Sequence, residues 1–301
     1  VSNPGARYWL RYWQFYVFML PAVLYFLVFQ YIPMYGAIIA FKDYKIGLGI
    51  WGSPFVGWEH FERFFHSYVF ERLLWNTLEI NFYQLLLFPV SVIVALAFHE
   101  ITSRRFRNWV QTITYAPHFI SVVVMVGMMV AFLNPVTGII NKVVIAIGLE
   151  PIPFLSDPAW FKSVFVLSGE WQNLGWGAII YLAALAAINP QLHEAAKVDG
   201  ATRLQRIWHV NLPGILPTII ILMILNFGNF MAVGFEKIYL LQNPLNMSSS
   251  DVIQTYVYRS GLIQGQYGYS AAIGLFNSVI NCFLLVLFNR IARKTTETSL
   301  W

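Results

Sequence analysis

The 301-residue sequence is short of charge: Asp, Glu, Lys and Arg together make up 11% of it. A soluble domain carries about 25%. Hydrophobic residues reach 58% and mean hydropathy is +0.60, so a water-soluble globular protein of this length is excluded. Catalytic signatures are missing as well. No glycine-rich loop runs into Lys-Ser or Lys-Thr, so no phosphate cradle exists and the chain cannot hydrolyse ATP alone. No Gly-x-Ser-x-Gly nucleophile turn occurs. The 6 histidines and single cysteine have no metal-ligand spacing. His193 and Glu194 are neighbours, which on a helix point to different faces and make no acid–base pair. No catalytic residue, no metal site and no cofactor of its own are expected. Cys282 has no internal disulfide partner, and its apolar setting reads as a packed, inert thiol.

What is present is a series of long apolar runs. They predict an all-α polytopic membrane protein, one transmembrane domain over residues 1–301 with six spans at about 14–40, 75–98, 109–133, 161–188, 215–235 and 269–291. Pro21 and Pro33 predict kinks in the first span. The aromatic stretch from Trp58 to Arg72 predicts a helix in the membrane interface plane, with Glu62, Arg63, Glu71 and Arg72 turned to water. Val143 to Ile147 predicts a short helix, too short to cross.

Net charge of +5 does not point to nucleic acid, because the basic residues sit in short tracts beside the spans. With both termini cytoplasmic, 11 basic residues lie inside against 8 outside. The inner ones (Arg7, Arg11, Arg104, Arg105, Arg107 and others) crowd short loops and tails, where positive charge orients a span most strongly. Lipid is thus one partner.

Polar residues inside spans face a bundle interior or a wet path. Asn81 and Gln84 lie in the second span, Asn226 and Asn229 in the fifth, and Asn277 and Asn281 four apart in the sixth. Each amide also has a plainer role in helix–helix hydrogen bonding. The fourth span holds Glu170, Trp171, Gln172 and Asn173, then Trp176 and Tyr181. A carboxylate at membrane depth costs about 3 kcal/mol unless paired or wet, so Glu170 lies near the outer interface or lines a pathway. Amides beside rings suit a sugar, whose hydroxyls need partners and whose C–H faces pack on aromatics. An interfacial aromatic belt is the alternative.

Between the fourth and fifth spans lies a polar loop, 189–213. Asn189 is a good N-cap and Pro190 fits a first helical position. Glu194, Ala195 and Ala196 favour helix, and Gly200 permits a sharp turn or a close approach. A second short helix from about Ala201 to Val210 is expected to stop before Leu212-Pro213. The spacing Glu194-Ala195-Ala196, Asp199-Gly200, Leu212-Pro213 resembles the EAA loop of the permease subunits of binding-protein-dependent ABC importers. Asn76-Thr77-Leu78 and Gly138 to Asn141 resemble the same permease family, and Phe235 to Leu241, Asn243-Pro244-Leu245 and Tyr256 to Arg259 resemble its carbohydrate-uptake branch, in particular permeases for polysaccharide-derived oligosaccharides.

That resemblance implies the ABC importer permease fold in a bacterial inner membrane. It implies a second homologous permease, two cytosolic ATPase subunits that bind ATP and Mg, and an extracellular sugar-binding protein. The loop around Glu194 and Gly200 would then couple ATP hydrolysis to alternating access of a sugar pathway. An ion-coupled secondary transporter for a small polar solute is the competing class.

Overall fold

The computed structural model describes residues 12–296 and 298–301; Arg7 and Arg11 lie outside them. The described residues are helical throughout their regular structure, the only extended pairing among them being an isolated bridge between Lys42 and Phe55. Helices α1 (Trp13–Phe41), α3 (Phe70–Glu100), α9 (Arg203–Gly228) and α11 (Tyr267–Thr296) are each long and apolar enough to cross a membrane. Two bent pairs, α4 (Arg104–Tyr115) with α5 (Val122–Phe132) and α7 (Pro158–Ala186) with α8 (Pro190–Val198), raise the candidate spans to as many as six when each pair counts as one. Short helices α2 (Glu59–Phe65), α6 (Ile139–Ala146) and α10 (Phe235–Leu241) complete the set used below.

The described residues fall into two compact units, 12–67 with 257–276, and 68–256 with 277–296 and 298–301. In the first, α1 turns its apolar surface outward, and its stretch Trp13–Phe26 buries no residue, as suits a helix solvated by lipid. The interfacial helix expected over 58–72 ends at Phe65. Its Phe61 and Phe64 are buried against Ala272, Phe276 and Tyr269. Arg63 is engaged too, donating to Gln266 at 2.8 Å and stacking 4.3 Å from the Tyr269 ring.

The second unit is built on α3 against α7. Ile80, Phe161, Phe165 and Val166 form one core with Met125 and Met129 of α5. Val92, Ala95, Ala178, Tyr181 and Leu185 form another with Ile215 of α9. Small residues let α7 approach closely. A side chain at Gly177 would come within 2.7 Å of Ser91 Oγ on α3, and one at Gly175 within 2.4 Å of the Thr114 carbonyl on α4. Arg72, expected in water, donates to the buried Asp251 at 2.8 Å. The polar loop 243–251 folds around buried Asn246, which donates to Leu155 and Leu241 carbonyls and accepts from Ser250.

Four expectations are corrected. The third span is not one helix: α4 and α5 meet at 99°. Pro117 lies in the narrow turn Ala116–Phe119, and Ser121 caps α5 by accepting from Val124 N–H. The fifth span ends at Gly228 rather than near 235, and the chain turns through Gly234 at φ +82°. The helix from Arg203 does not stop before Leu212-Pro213 but runs on to Gly228 through a wide π-turn, Ile207–Asn211. Pro213 lacks the N–H that would bond four residues back, and the wide turn two residues earlier accommodates that loss. The same pairing occurs in α1, where the wide turn Leu27–Tyr31 precedes Pro33. Finally, Cys282 is exposed on α11, not packed.

Candidate functional site

A cavity of about 480 Å³ opens between α3, α7 and α9, within the usual range of small-ligand pockets, about 300–1,000 Å³. From α3 come Asn81, Gln84, Phe88 and Ser91; from α7 Glu170, Asn173, Trp176 and Tyr181; from α9 Asn226, and just past its end Asn229 and Phe230. These positions recur every three to five residues along α3 and α7, so each of these helices presents one polar and aromatic stripe.

Asn81, Asn226 and Asn229 each donate one amide N–H to a carbonyl of their own helix, four residues back. The rest of their hydrogen-bonding capacity has no protein partner among the described residues. Among the described residues the side chains of Gln84 and Glu170 have none. Asn173 is positioned by its bond to the Gly169 carbonyl and by a 3.1 Å contact with His118 Nδ1. Trp176 is fixed by stacking on the His118 ring, 4.4 Å away and tilted by 5°. His118, from the turn between α4 and α5, had no signal in the sequence.

The remaining candidates fall elsewhere. Trp171 is on the outer face of α7, and Gln172 is buried with its amide donated to the Ile120 carbonyl, closing the break before α5. Asn281 accepts from Met231 N–H at 2.8 Å, and Asn277 keeps a buried carbonyl oxygen without a partner, yet neither lines the cavity.

The second cluster is the elbow at the end of α7, which bends by 74° into α8. Asn189 caps α8 through the Gln191 N–H, with Pro190 in the first turn. At the other end Ala201 N–H bonds Ala196 and Gly200 N–H bonds Lys197, a Schellman closure. Gly200 sits at φ +78° with open space where a side chain would stand, so the glycine serves the turn and not a close packing. Thr202 and Gln205 then make a capping box at the start of α9. No residue of α8 is buried. Glu194, Ala195 and Asp199 are exposed, Ala196 is half-buried, and Val198 is 88% exposed. Leu212 and Pro213 lie past the wide turn, outside the elbow surface proper. Asn211, fully buried there, donates to Glu100 Oε1 at the end of α3, while the His99 and His193 rings lie 6.0 Å apart. The elbow thus rests on the helix that supplies one wall of the cavity.

A polytopic membrane protein that offers unpaired polar groups inside its bundle and a capped, exposed elbow at one helix end belongs to the solute-transport class. The chain belongs to the family of binding-protein-dependent transport system inner membrane components, whose pattern matches residues 88–297. It is 44% identical to Protein LplB of Bacillus subtilis (strain 168), over 95% of this chain and 90% of that protein. It is 43% identical to the polygalacturonan/rhamnogalacturonan transport system permease protein YteP of the same organism, over 95% and 89%. A chain in the crystal structure of a bacterial alginate ABC transporter, in complex with an alginate pentasaccharide-bound periplasmic protein, superposes with TM-score 0.89 at 40% identity, covering 98% of this chain and 99% of that one. The family is one of transport permeases, not of enzymes.

Proposed function

We propose that this chain is the transmembrane subunit of an ATP-driven importer of sugars or oligosaccharides, and that the α3–α7–α9 cavity is its half of the translocation pathway. One observation carries the reading: α7 lines the cavity with Glu170, Asn173 and Trp176 and runs directly into the elbow. A push on α8 therefore acts on the helix that holds the solute groups. Membership of a binding-protein-dependent family, and relatives that are sugar permeases, support the same class. Nothing favours the ion-coupled alternative.

In this reading Glu194, Ala195, Ala196, Asp199 and Gly200 dock on a cytosolic ATPase, with Leu212 and Pro213 inside α9 just past its wide turn. Exposed Leu192, Val198 and Leu204 offer apolar anchors, and Glu194 offers a charge for a basic partner group. ATP and Mg belong to two such ATPase subunits. A second permease supplies the other half of the pathway, and an external binding protein delivers the saccharide. Both termini are cytoplasmic, in keeping with Arg104, Arg105 and Arg107 opening α4 on the elbow's side. Alternating access follows if ATP-driven closure of the ATPases moves the elbow and reorients α7.

The test is ATP hydrolysis by the reconstituted complex with and without loaded binding protein. Stimulation in the wild type, lost in Glu194→Ala while the complex still assembles in the membrane, is the expected result. Full stimulation in that variant sinks the coupling role of the elbow.

A further inference from the structure

The cavity's charge goes beyond its geometry. Among the described residues Glu170 is its one charged lining residue, and none of the lining residues is Lys, Arg or His. The carboxylate has no partner among the described residues, so it is left to a solute or to water. The nearest cations are engaged with protein groups. Lys237 on α10 is buried against the lining residue Gly169, where a Cβ would stand 3.2 Å from its ammonium; that ammonium donates to the Phe165 carbonyl at 2.8 Å and lies 4.9 Å over the Phe165 ring. The His118 ring is spent on Trp176 and Asn173.

The outer loops repeat the pattern. Lys42, Lys45 and Arg63 would suggest an acidic solute from sequence alone, yet each is engaged. Lys42 donates to the Ile50 and Ser53 carbonyls, Lys45 pairs with Asp43 at 3.3 Å, and Arg63 holds Gln266.

Resting on the reading of this cavity as a saccharide pathway, we infer that its wall selects an uncharged, hydroxyl-rich sugar unit and disfavours a uronate at the same position. Sugar hydroxyls donate to Glu170 and exchange bonds with the free amides of Gln84, Asn226 and Asn229, while ring C–H faces meet Trp176 and Phe230. A hydrogen bond to an ionised carboxylate is about twice as strong as a neutral one, so Glu170 is the dominant contact. A uronate carboxylate brought there meets like charge, and the ammonium nearest the wall, Lys237, is committed to the Phe165 carbonyl and ring. The relatives named for polygalacturonan and alginate therefore do not transfer their acidic solutes to this wall by similarity alone.

Direct binding separates the two cases without the selectivity of a binding protein. The permease–ATPase complex, in lipid nanodiscs, is titrated with α-1,4-linked galactotriose and with α-1,4-linked galacturonotriose, which differ only in CH₂OH against carboxylate at C6. Tryptophan fluorescence reports occupancy, with Trp176→Phe as the control that removes the signal. The neutral trisaccharide is expected to bind about tenfold tighter, a margin that site-built hydrogen bonding readily reaches. Glu170→Gln keeps the shape, removes the charge and should bring the two affinities together by weakening the neutral and strengthening the acidic ligand. Equal or tighter binding of the uronate by the wild type overturns the inference, as does a ratio unmoved by Glu170→Gln. Saturable binding of neither sugar withdraws the pathway reading itself, and the inference with it.

Discussion

The elbow and the cavity wall are both unfinished surfaces on the same helix, and they are unfinished in opposite ways. In the elbow, turn and cap hydrogen bonds are made locally. Asn189 and the Thr202–Gln205 box close the helix starts, and the Schellman bonds at Ala201 and Gly200 close the helix end. Its side chains are exposed and largely uncommitted. In the cavity the backbone is equally satisfied by helix, but side-chain amides and a carboxylate lie inside the bundle with capacity to spare. A rigid, self-contained backbone with exposed apolar and charged side chains suits a protein partner, since little ordering entropy remains to be lost on docking. Unpaired polar side chains in a pocket suit a hydroxylic solute, because leaving them dry costs about 1–3 kcal/mol each. One chain thus carries two kinds of recognition, joined by α7.

The comparison breaks most sharply at Gly200. A branched residue at φ +78° is strained however much space surrounds it. Gly200→Val should therefore unwind the Schellman closure, costing about 1–2 kcal/mol locally and misdirecting Glu194 to Asp199. We expect loss of stimulated ATP hydrolysis to the basal level, with saccharide binding in nanodiscs unchanged. Gly200→Asn, which tolerates this conformation, should retain most of the stimulation. Equal loss in both variants would show that the site senses bulk rather than backbone.

The converse break is at Gly177, where a methyl group would stand 2.7 Å from Ser91 Oγ. Overpacking of this kind costs about 1–3 kcal/mol, and here it presses on two residues that line the cavity. Gly177→Ala should reduce saccharide affinity by about three- to tenfold while the isolated elbow chemistry is untouched, so basal ATP hydrolysis stays. Ser91→Gly in the same chain should restore binding, because it removes the clashing oxygen. A double variant no better than Gly177→Ala would place the defect elsewhere on α7.

How far these regions are legible in sequence follows the same divide. The elbow is local, so Asn189, Pro190, Gly200 and the Glu194-Ala195-Ala196 spacing reveal it without any tertiary knowledge. The cavity is legible only as stripes. Glu170, Asn173, Trp176 and Tyr181 sit three or five apart and share a face, whereas Trp171 and Gln172, taken with them as a contiguous run, rotate away by about 100° per residue. Asn277 and Asn281 also share a face, but the latter is committed to Met231 N–H, and that depends on a helix ending at Gly228, which a continuous apolar run to Phe235 conceals. The 99° break of the third span is hidden similarly: Pro117 and Ser121 mark it, while apolar content on its far side argues for continuity. His118 stacked on Trp176 pairs residues 58 positions apart, and no spacing rule reaches that far.

A smaller effect sharpens the account of the elbow as self-contained. Thr202→Ala removes the side chain that accepts from Gln205 N–H, a cap worth about 1 kcal/mol. Stimulated ATP hydrolysis should fall about twofold at ambient temperature and further on warming, as the first turn of α9 frays. Thr202→Ser should restore it, since the hydroxyl is the working group. An unaltered temperature profile in Thr202→Ala would mean that the elbow is held by its docking partner and not by its own caps.

The smallest effect concerns Lys237, buried beside the cavity wall yet excluded from it. Its folded value of about 8 lies below the ordinary 10.5, with burial as the cause. Between those two values the unfolded chain holds the proton and the folded chain has released it, so this group makes stability rise with pH across that window. Below about 8 both states are charged and the burial penalty is present in full; above 10.5 both are neutral and it is gone. Lys237→Met removes the penalty and, with it, this part of the pH dependence. Melting temperatures in detergent from pH 7.5 to 10.5 should therefore show the wild type gaining on Lys237→Met as pH rises. Parallel curves would mean that the ammonium is already compensated by the Phe165 carbonyl and ring, and that the wall behind Glu170 is more polar than its burial implies.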